Sequence, residues 1–184
     1  MLIARCSRWM DHVASGPLRR VFQNPKRLLQ DFVEPGMTTL DVGCGSGYFS
    51  LGMASLVGEV GRVVAVDIQG DVVERLRKKA SAAGLSGRIE ARVCNEQSLE
   101  IKDLERQIDF ALAFYVVHHA PSGPKLMTDV HRALKPGGRF LVVEPRHHAS
   151  AEECAVIEAG AAELGFKVVD HPRLVRSWAV ALVK

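Results

Sequence analysis

The stretch Thr38–Ser50, TTLDVGCGSGYFS, constrains this chain more than any other. An apolar, strand-forming run ends in glycines at alternate positions, Gly43, Gly45 and Gly47. Tyr48 then opens a segment that places Phe49, Met53 and Leu56 on one helical face. Glycine at such a handover admits positive φ and lets the backbone approach a bound molecule closely. The helix that follows offers unpaired N–H groups and a partial positive charge to an anion. A strand–glycine–helix unit of this kind belongs in a doubly wound sheet, whose ligands sit where the strand order reverses.

The rest of the chain repeats the alternation. RVVAVDI (62–68) is a continuous apolar run, the pattern of a strand buried on both faces of a parallel sheet. DVVERLRKKASAAG (71–84) reads as an amphipathic helix ending at a glycine cap. Strands are expected at 88–93 and 109–116, then a helix through Leu126, Val130, Ala133 and Leu134 that stops at KPGG, then the strand RFLVVEP. Ser150 and Glu153 form a capping box for a helix with Cys154, Ile157, Ala161 and Leu164 on its apolar face. FKVVDHP and SWAVALVK finish as two strands whose connection is too short for a crossover helix, so they should pair antiparallel. The fold class is therefore α/β: a doubly wound, Rossmann-like sheet of seven mostly parallel strands. Residues 1–36 form a front piece and 37–184 the main domain. In the front piece Asn24 and Pro25 start a helix near 25–33, and Trp9, Met10, Leu18 and Phe22 are apolar enough to pack as a lid over the ligand edge.

Composition narrows the function classes. The 184 residues are 47% hydrophobic and 24% charged, ordinary for a soluble globular domain. No apolar run approaches the ~20 residues of a membrane helix, and the N-terminus lacks a secretory pattern, so the expected location is the cytoplasm. Cys6, Cys44, Cys94 and Cys154 are scattered without a CxxC pair, which argues against a metal or disulfide framework. The net charge of +3 comes from residues 1–36, with six Lys/Arg against three acids; such sparse charge excludes a nucleic-acid footprint but could attract an anionic substrate.

Asp67 sharpens the ligand. It ends the second strand twenty residues beyond Gly47, where an acid accepts from both ribose hydroxyls of a bound nucleotide; the bland alternative is an N-cap for the 71–84 helix. A dinucleotide loop needs GxGxxG, yet position 48 is Tyr48, whose bulk would crowd a pyrophosphate. A ligand with ribose and adenine but a small carboxylate fits better.

Four segments in order, LDVGCGSGYFS, VVAVDIQ, FALAFYVVHHA and ALKPGGRFLVVEP, resemble the motifs of class I S-adenosylmethionine-dependent methyltransferases, and most of all the ubiquinone/menaquinone C-methyltransferase branch. The likeness covers residues 37–145 and extends to the last two strands in topology. It implies strand order 3-2-1-4-5-7-6 with the seventh strand antiparallel, S-adenosylmethionine as cofactor and S-adenosylhomocysteine as product. It also implies that N–H groups from Gly45 to Tyr48 face the methionine carboxylate, with Gly43 and Cys44 shaping the loop. Asp41 and the Phe114 carbonyl would lie near the ammonium group, Asp67 on the ribose and Ile68 on adenine. Asn95 stands where the family commonly has aspartate, with Glu96 or Gln97 as substitutes, and Val72 either closes the adenine slot or is helix core.

Methyl transfer needs no acid at the donor. An acceptor that must lose a proton would use a histidine near neutral pH. His119 is the first candidate, with His118, His147, His148 and Tyr115 at the same edge; the alternative reading is that histidines there only pack near the cofactor. Glu144 orients a substrate or caps the next loop. Connections after the fourth and fifth strands and between the last two are short, so the pocket is expected to be open and completed by the N-terminal segment or a second copy of the chain. The acceptor is expected to be a small aromatic, quinone-like or amine compound. A nicotinamide oxidoreductase and a catalytically inactive, cofactor-binding regulatory subunit are the competing readings.

Overall fold

A computed structural model describes residues 24–117, 123–146 and 150–184. Its elements, in chain order, are α1 (Pro25–Leu29), β1 (Thr38–Val42), α2 (Tyr48–Leu56), β2 (Arg62–Asp67), α3 (Gly70–Ala82) and β3 (Ile89–Val93). A 3-10 turn (Lys102–Leu104) precedes β4 (Ile108–Phe114), and α4 (Gly123–Ala133), β5 (Leu134–Pro145), α5 (Ala151–Glu163), β6 (Lys167–Asp170) and β7 (Ser177–Val183) complete the chain. The seven strands form one sheet in the order β3-β2-β1-β4-β5-β7-β6. β1 runs parallel to both β2 and β4, β3 parallel to β2, and β5 parallel to β4; β7 is antiparallel to β5 and β6. The class, order and orientation expected from the sequence are those observed. Among the described residues no helix is long and apolar enough to cross a membrane.

The period-two alternation of strand side chains sorts the core onto the two faces of the sheet. Leu40, Val42, Val64, Val66, Ala111, Ala113 and Val142 pack with Leu126, Val130 and Ala133 of α4 and Ala161 of α5. Their neighbours Val63, Phe110, Leu112, Leu141 and Val143 face Leu29 of α1 and Phe49, Met53 and Ala54 of α2. Leu76 of α3 covers Ala65 on that second face. Each central strand is thus buried on both sides, which is why its sequence is apolar throughout rather than alternating.

Several boundaries differ from the expected ones for local reasons. The first helix is Pro25–Leu29 instead of 25–33, although Asn24 caps it as expected, accepting from Lys26 N at 3.0 Å and Arg27 N at 3.3 Å. Pro35 restricts Glu34, and the turn after Leu29 sends Phe32 to within 5.6 Å of the Phe110 ring, with the Arg139 guanidinium 4.5 Å above it. Leu29 and Val33 are buried in the core beside α2, with Leu28 and Phe32 packed against it. The expected lid residues Trp9, Met10, Leu18 and Phe22, and Cys6, lie outside the described residues. β4 ends at Phe114, two residues early, because Tyr115 takes φ +63°. β5 begins at Leu134, with a register shift absorbing KPGG between the Ile108↔Leu134 and Phe110↔Arg139 pairs. The Ser150–Glu153 capping box is present in both directions.

One titratable group at the far end of the sheet links the fold to pH. His131 of α4 stands edge-on to Phe166 at 4.9 Å, and burial followed by the charge of Lys184 holds its imidazole below the usual 6.5. The folded state then binds fewer protons than the unfolded chain, so this contribution is complete above pH 6.5 and is lost as pH falls. Urea unfolding at pH 7.5 and 5.5 should show a smaller acid destabilisation for His131→Leu than for the parent; equal losses would remove His131 as a source.

Candidate functional site

The carboxyl ends of β1, β2 and β4 converge where the strand order reverses, and the glycine loop lies across them. Gly43 and Cys44 donate N–H bonds to Val66 O at 2.8 and 3.0 Å, stitching the loop to β2. Gly43, Gly45 and Gly47 have φ of +68°, +50° and +87°. A Cβ on Gly43 would meet Val116 Cγ2 at 2.4 Å, and one on Gly47 would meet Leu76 Cδ1 at 2.2 Å. The loop thus needs glycine for its dihedrals and for its contact with the chain's own core. Gly47 is also the N-cap of α2 and makes no side-chain cap, so the helix's amino end carries no capping side chain. Lys79 of α3 braces the loop from outside, donating to Ser46 Oγ at 2.8 Å and to its carbonyl at 3.1 Å.

Two buried carboxylates flank this loop. Asp41 accepts from Ser50 Oγ at 2.5 Å. Asp67, only 8% exposed, accepts from Gly45 N–H through Oδ2 and from Gln69 N–H through Oδ1, each at 2.9 Å. Asp67 does not cap α3, whose N-cap is Gln69 without a side-chain bond. Of the N–H groups from Gly45 to Tyr48, Gly45's is committed to Asp67 and Gly47's to Cys44 O at 3.0 Å. The field here is negative. Burial, then Asp41 and Asp67, push the Cys44 thiol well above its ordinary value. Burial, then Asp67, push Cys94 up to about 12. Both sulfurs stay protonated near neutral pH, which removes thiolate chemistry from the site.

At the end of β3, Cys94 N–H bonds to Asp67 O at 3.0 Å and brings Asn95 alongside. Asn95 Oδ1 accepts from Gln97 N–H and its amide donates to Glu100 Oε1, both at 2.8 Å. Ile68 is 39% exposed and Glu96 is exposed, whereas Val72 is buried in the helix-facing core.

Beyond β4 an aromatic run leads away from the loop. Phe114 stacks obliquely on Phe49 and on Tyr115, each at 4.3 Å, and Tyr48 meets Phe49 edge-on at 5.3 Å. Tyr115 is anchored twice: its N–H bonds to Val143 O at 2.8 Å and its hydroxyl lies 2.6 Å from Ser177 Oγ. Ser177 Oγ also donates to Val175 O at 3.3 Å. Glu144, fully buried, accepts from Val117 N–H at 2.8 Å and thereby holds the chain as it leaves β4. Arg146 Nε donates to Ser177 O at 3.1 Å. Asp41, Gly43, Cys44, Gly45, Gly47, Tyr48, Asp67 and Phe114 are brought together, with Ile68, Asn95 and Glu96 at the next two strand ends. His118, His119, His147 and His148 lie outside the described residues. Among the described residues no group of three or more His, Cys, Asp or Glu could hold a metal ion. Ser50, Lys79, Arg146 and Ser177 were not visible as site residues in the sequence. Ser177 could have been found from the antiparallel register, which pairs it with Pro145 and so places it at the ligand edge.

Replacing Gly43 by Ala forces a methyl into a β-branched neighbour at positive φ. The expected loss is about 2–4 kcal/mol of unfolding free energy, measured with urea, from overpacking and backbone strain together; a variant as stable as the parent would contradict this packing.

A family model described as a methyltransferase domain matches residues 33–175. The ubiquinone/menaquinone biosynthesis C-methyltransferase UbiE of Klebsiella pneumoniae is 32% identical over 112 residues, 61% of this chain and 44% of that protein. A demethylmenaquinone methyltransferase of Symbiobacterium thermophilum is 31% identical over 115 residues, 62% of this chain and 45% of that one. The chain thus spans less than half the length of these relatives. Among solved structures, a SAM-dependent methyltransferase from Aquifex aeolicus superposes with a TM-score of 0.84 at 21% identity, covering 96% of this chain and 97% of that one, and so shares the fold.

Proposed function

The chain belongs to the methyltransferase-domain family, in its class I S-adenosylmethionine-dependent, UbiE-like branch, and from that premise we propose that it moves a methyl group in line from S-adenosylmethionine to a small aromatic, quinone-like or amine acceptor. The observation that carries the reading is the pair of buried carboxylates Asp41 and Asp67 at the glycine loop. Their negative charge suits a ligand bearing a sulfonium and an ammonium group. It opposes a pyrophosphate, which would bring two more negative charges against them. That electrostatic argument, added to Tyr48 in place of a third glycine, weighs against the nicotinamide alternative.

The residues present fit the cofactor. Bound there, S-adenosylmethionine supplies an activated methyl on sulfur. The amino end of α2 faces its carboxylate, Asp41 and the Phe114 carbonyl its ammonium group, and Asp67 its ribose hydroxyls. Asp67 does so while holding Gly45, since each carboxylate oxygen has a second acceptor site. Ile68 lies on the adenine, and Asn95 or Glu96 accepts from its amino group. Because Asn95 already accepts from Gln97, Glu96 is the freer of the two.

The acceptor side works mainly by position. Holding donor and acceptor in line near contact is worth up to roughly 7–11 kcal/mol, so no signature base is required. Tyr115, its hydroxyl hydrogen-bonded to Ser177, forms a fixed wall beside the methyl position. Where the acceptor must lose a proton, His119 takes it; it follows the segment that Glu144 tethers at Val117.

Calorimetry with S-adenosylhomocysteine, S-adenosylmethionine and NAD tests the cofactor. The sulfur nucleotides should bind and NAD should not; the reverse overturns the proposal. Asp67→Ala should weaken S-adenosylhomocysteine by about 1.5–3 kcal/mol or more through lost charged hydrogen bonds, and unchanged affinity would withdraw the ribose assignment. A radiolabelled methyl-donor screen over phenols, quinols, amines and thiols then separates an enzyme from an inactive regulatory subunit: transfer to none of them favours the latter.

A further inference from the structure

The ligand edge divides by charge. Over β2 and β3 the strand ends and the residues that follow them carry Asp67, Asp71 (paired with Arg75 at 2.9 Å), Glu96 and Glu100. Over β5, β7 and β6 they carry Arg146, Arg173 and Arg176 instead. Arg146 and Arg176 are adjacent across the sheet, since Arg146 N–H donates to Arg176 O at 3.1 Å. Both are exposed, and neither they nor Arg173 form an ion pair among the described residues. Of the acids of that half, Glu152 is exposed in the first turn of α5 and the others are engaged. Glu144 takes Val117 N–H, Asp170 takes His171 N–H at 2.8 Å, Glu158 pairs with His171 at 2.9 Å, and Glu153 closes the capping box.

Ser177 joins these arginines to the aromatic wall. Its carbonyl accepts from Arg146 Nε and its hydroxyl meets Tyr115. A planar acceptor resting against Tyr115 is thus one residue from a guanidinium whose side chain makes no second hydrogen bond among the described residues. Leu174, in the same connection as Arg173 and Arg176, packs with Tyr115 on the same core cluster and gives that side an apolar floor.

Accepting the methyl-transfer reading above, on which this rests, we infer that the acceptor bears an acidic group, carboxylate or phosphate, seated on Arg146 and Arg176 beside the Tyr115–Ser177 pair. Arginine's fork suits both oxyanions, which it holds by charge-assisted bonds. The same groups disfavour a cationic amine acceptor, which narrows the acceptor class.

The test uses the full chain saturated with S-adenosylhomocysteine and two matched pairs of probes, benzoate against benzamide and phenyl phosphate against phenol, titrated by ligand-observed NMR. In at least one pair the acid should bind about ten-fold or more tightly than its neutral partner, and added salt should erode the difference. The preference should fall at least several-fold in Arg146→Gln and in Arg176→Asn, the latter suiting the left-handed φ of +59° at that position. Thermal unfolding reports whether each variant is folded, and Arg176, exposed and without a side-chain partner among the described residues, remains informative if Arg146→Gln is not. No preference for either acid, or a preference undiminished in Arg176→Asn, overturns the inference. Loss of S-adenosylhomocysteine binding by the parent overturns the cofactor reading and this inference with it; retained binding without acid preference overturns this inference alone.

Discussion

The bond on which the site depends is the one from Gly45 N–H to the Asp67 carboxylate, 2.9 Å across the ends of two neighbouring strands. It sets the glycine loop against β2, and through the other oxygen it also fixes the turn at Gln69. A buried carboxylate without such donors would be costly, so the loop's curvature and the acid's charge are mutually dependent. The same acid contributes, with Asp41, to the negative charge of the crevice, and it adds to the burial that keeps the neighbouring thiols protonated. Shape and charge selectivity thus come from one residue and the glycine that binds it.

A second fastening serves the other half of the edge. β4 ends where Tyr115 turns into left-handed backbone, a conformation that costs about 1–2 kcal/mol for a residue with a side chain. Bonds to Val143 and Ser177 over-determine that conformation, and Glu144 secures the segment two residues on. The chain leaving β4 is therefore held by β5 and β7 together. The antiparallel β7 matters here, because reversing its direction brings its first residue, Ser177, to the ligand edge.

Much of this was legible without coordinates. Apolar runs, glycine punctuation and the Ser150–Glu153 box specified the strand–helix alternation, and the short final connection required the antiparallel pair. The glycines and Asp67 follow from position relative to strand ends, and Asp41 from the family resemblance. The rest was hidden because it depends on contacts between residues far apart in sequence. Nothing near Phe32 announces that it leaves a helix to meet Phe110, nor does anything beside Ser46 point to Lys79. The Gly45 N–H reads as a ligand donor from sequence, yet the fold spends it on Asp67.

By itself the sequence determined the layer architecture, the place of the crevice and the chemical type of the cradle, because hydrophobic period, glycine conformational freedom and a strand-end carboxylate act over a few residues. Tertiary structure alone decided which donors remain for a ligand, that the Tyr115 and Ser177 hydroxyls share a hydrogen bond, and how acids and arginines divide the edge. Those properties depend on strand order and direction, which bring residues dozens of positions apart within a hydrogen bond of one another.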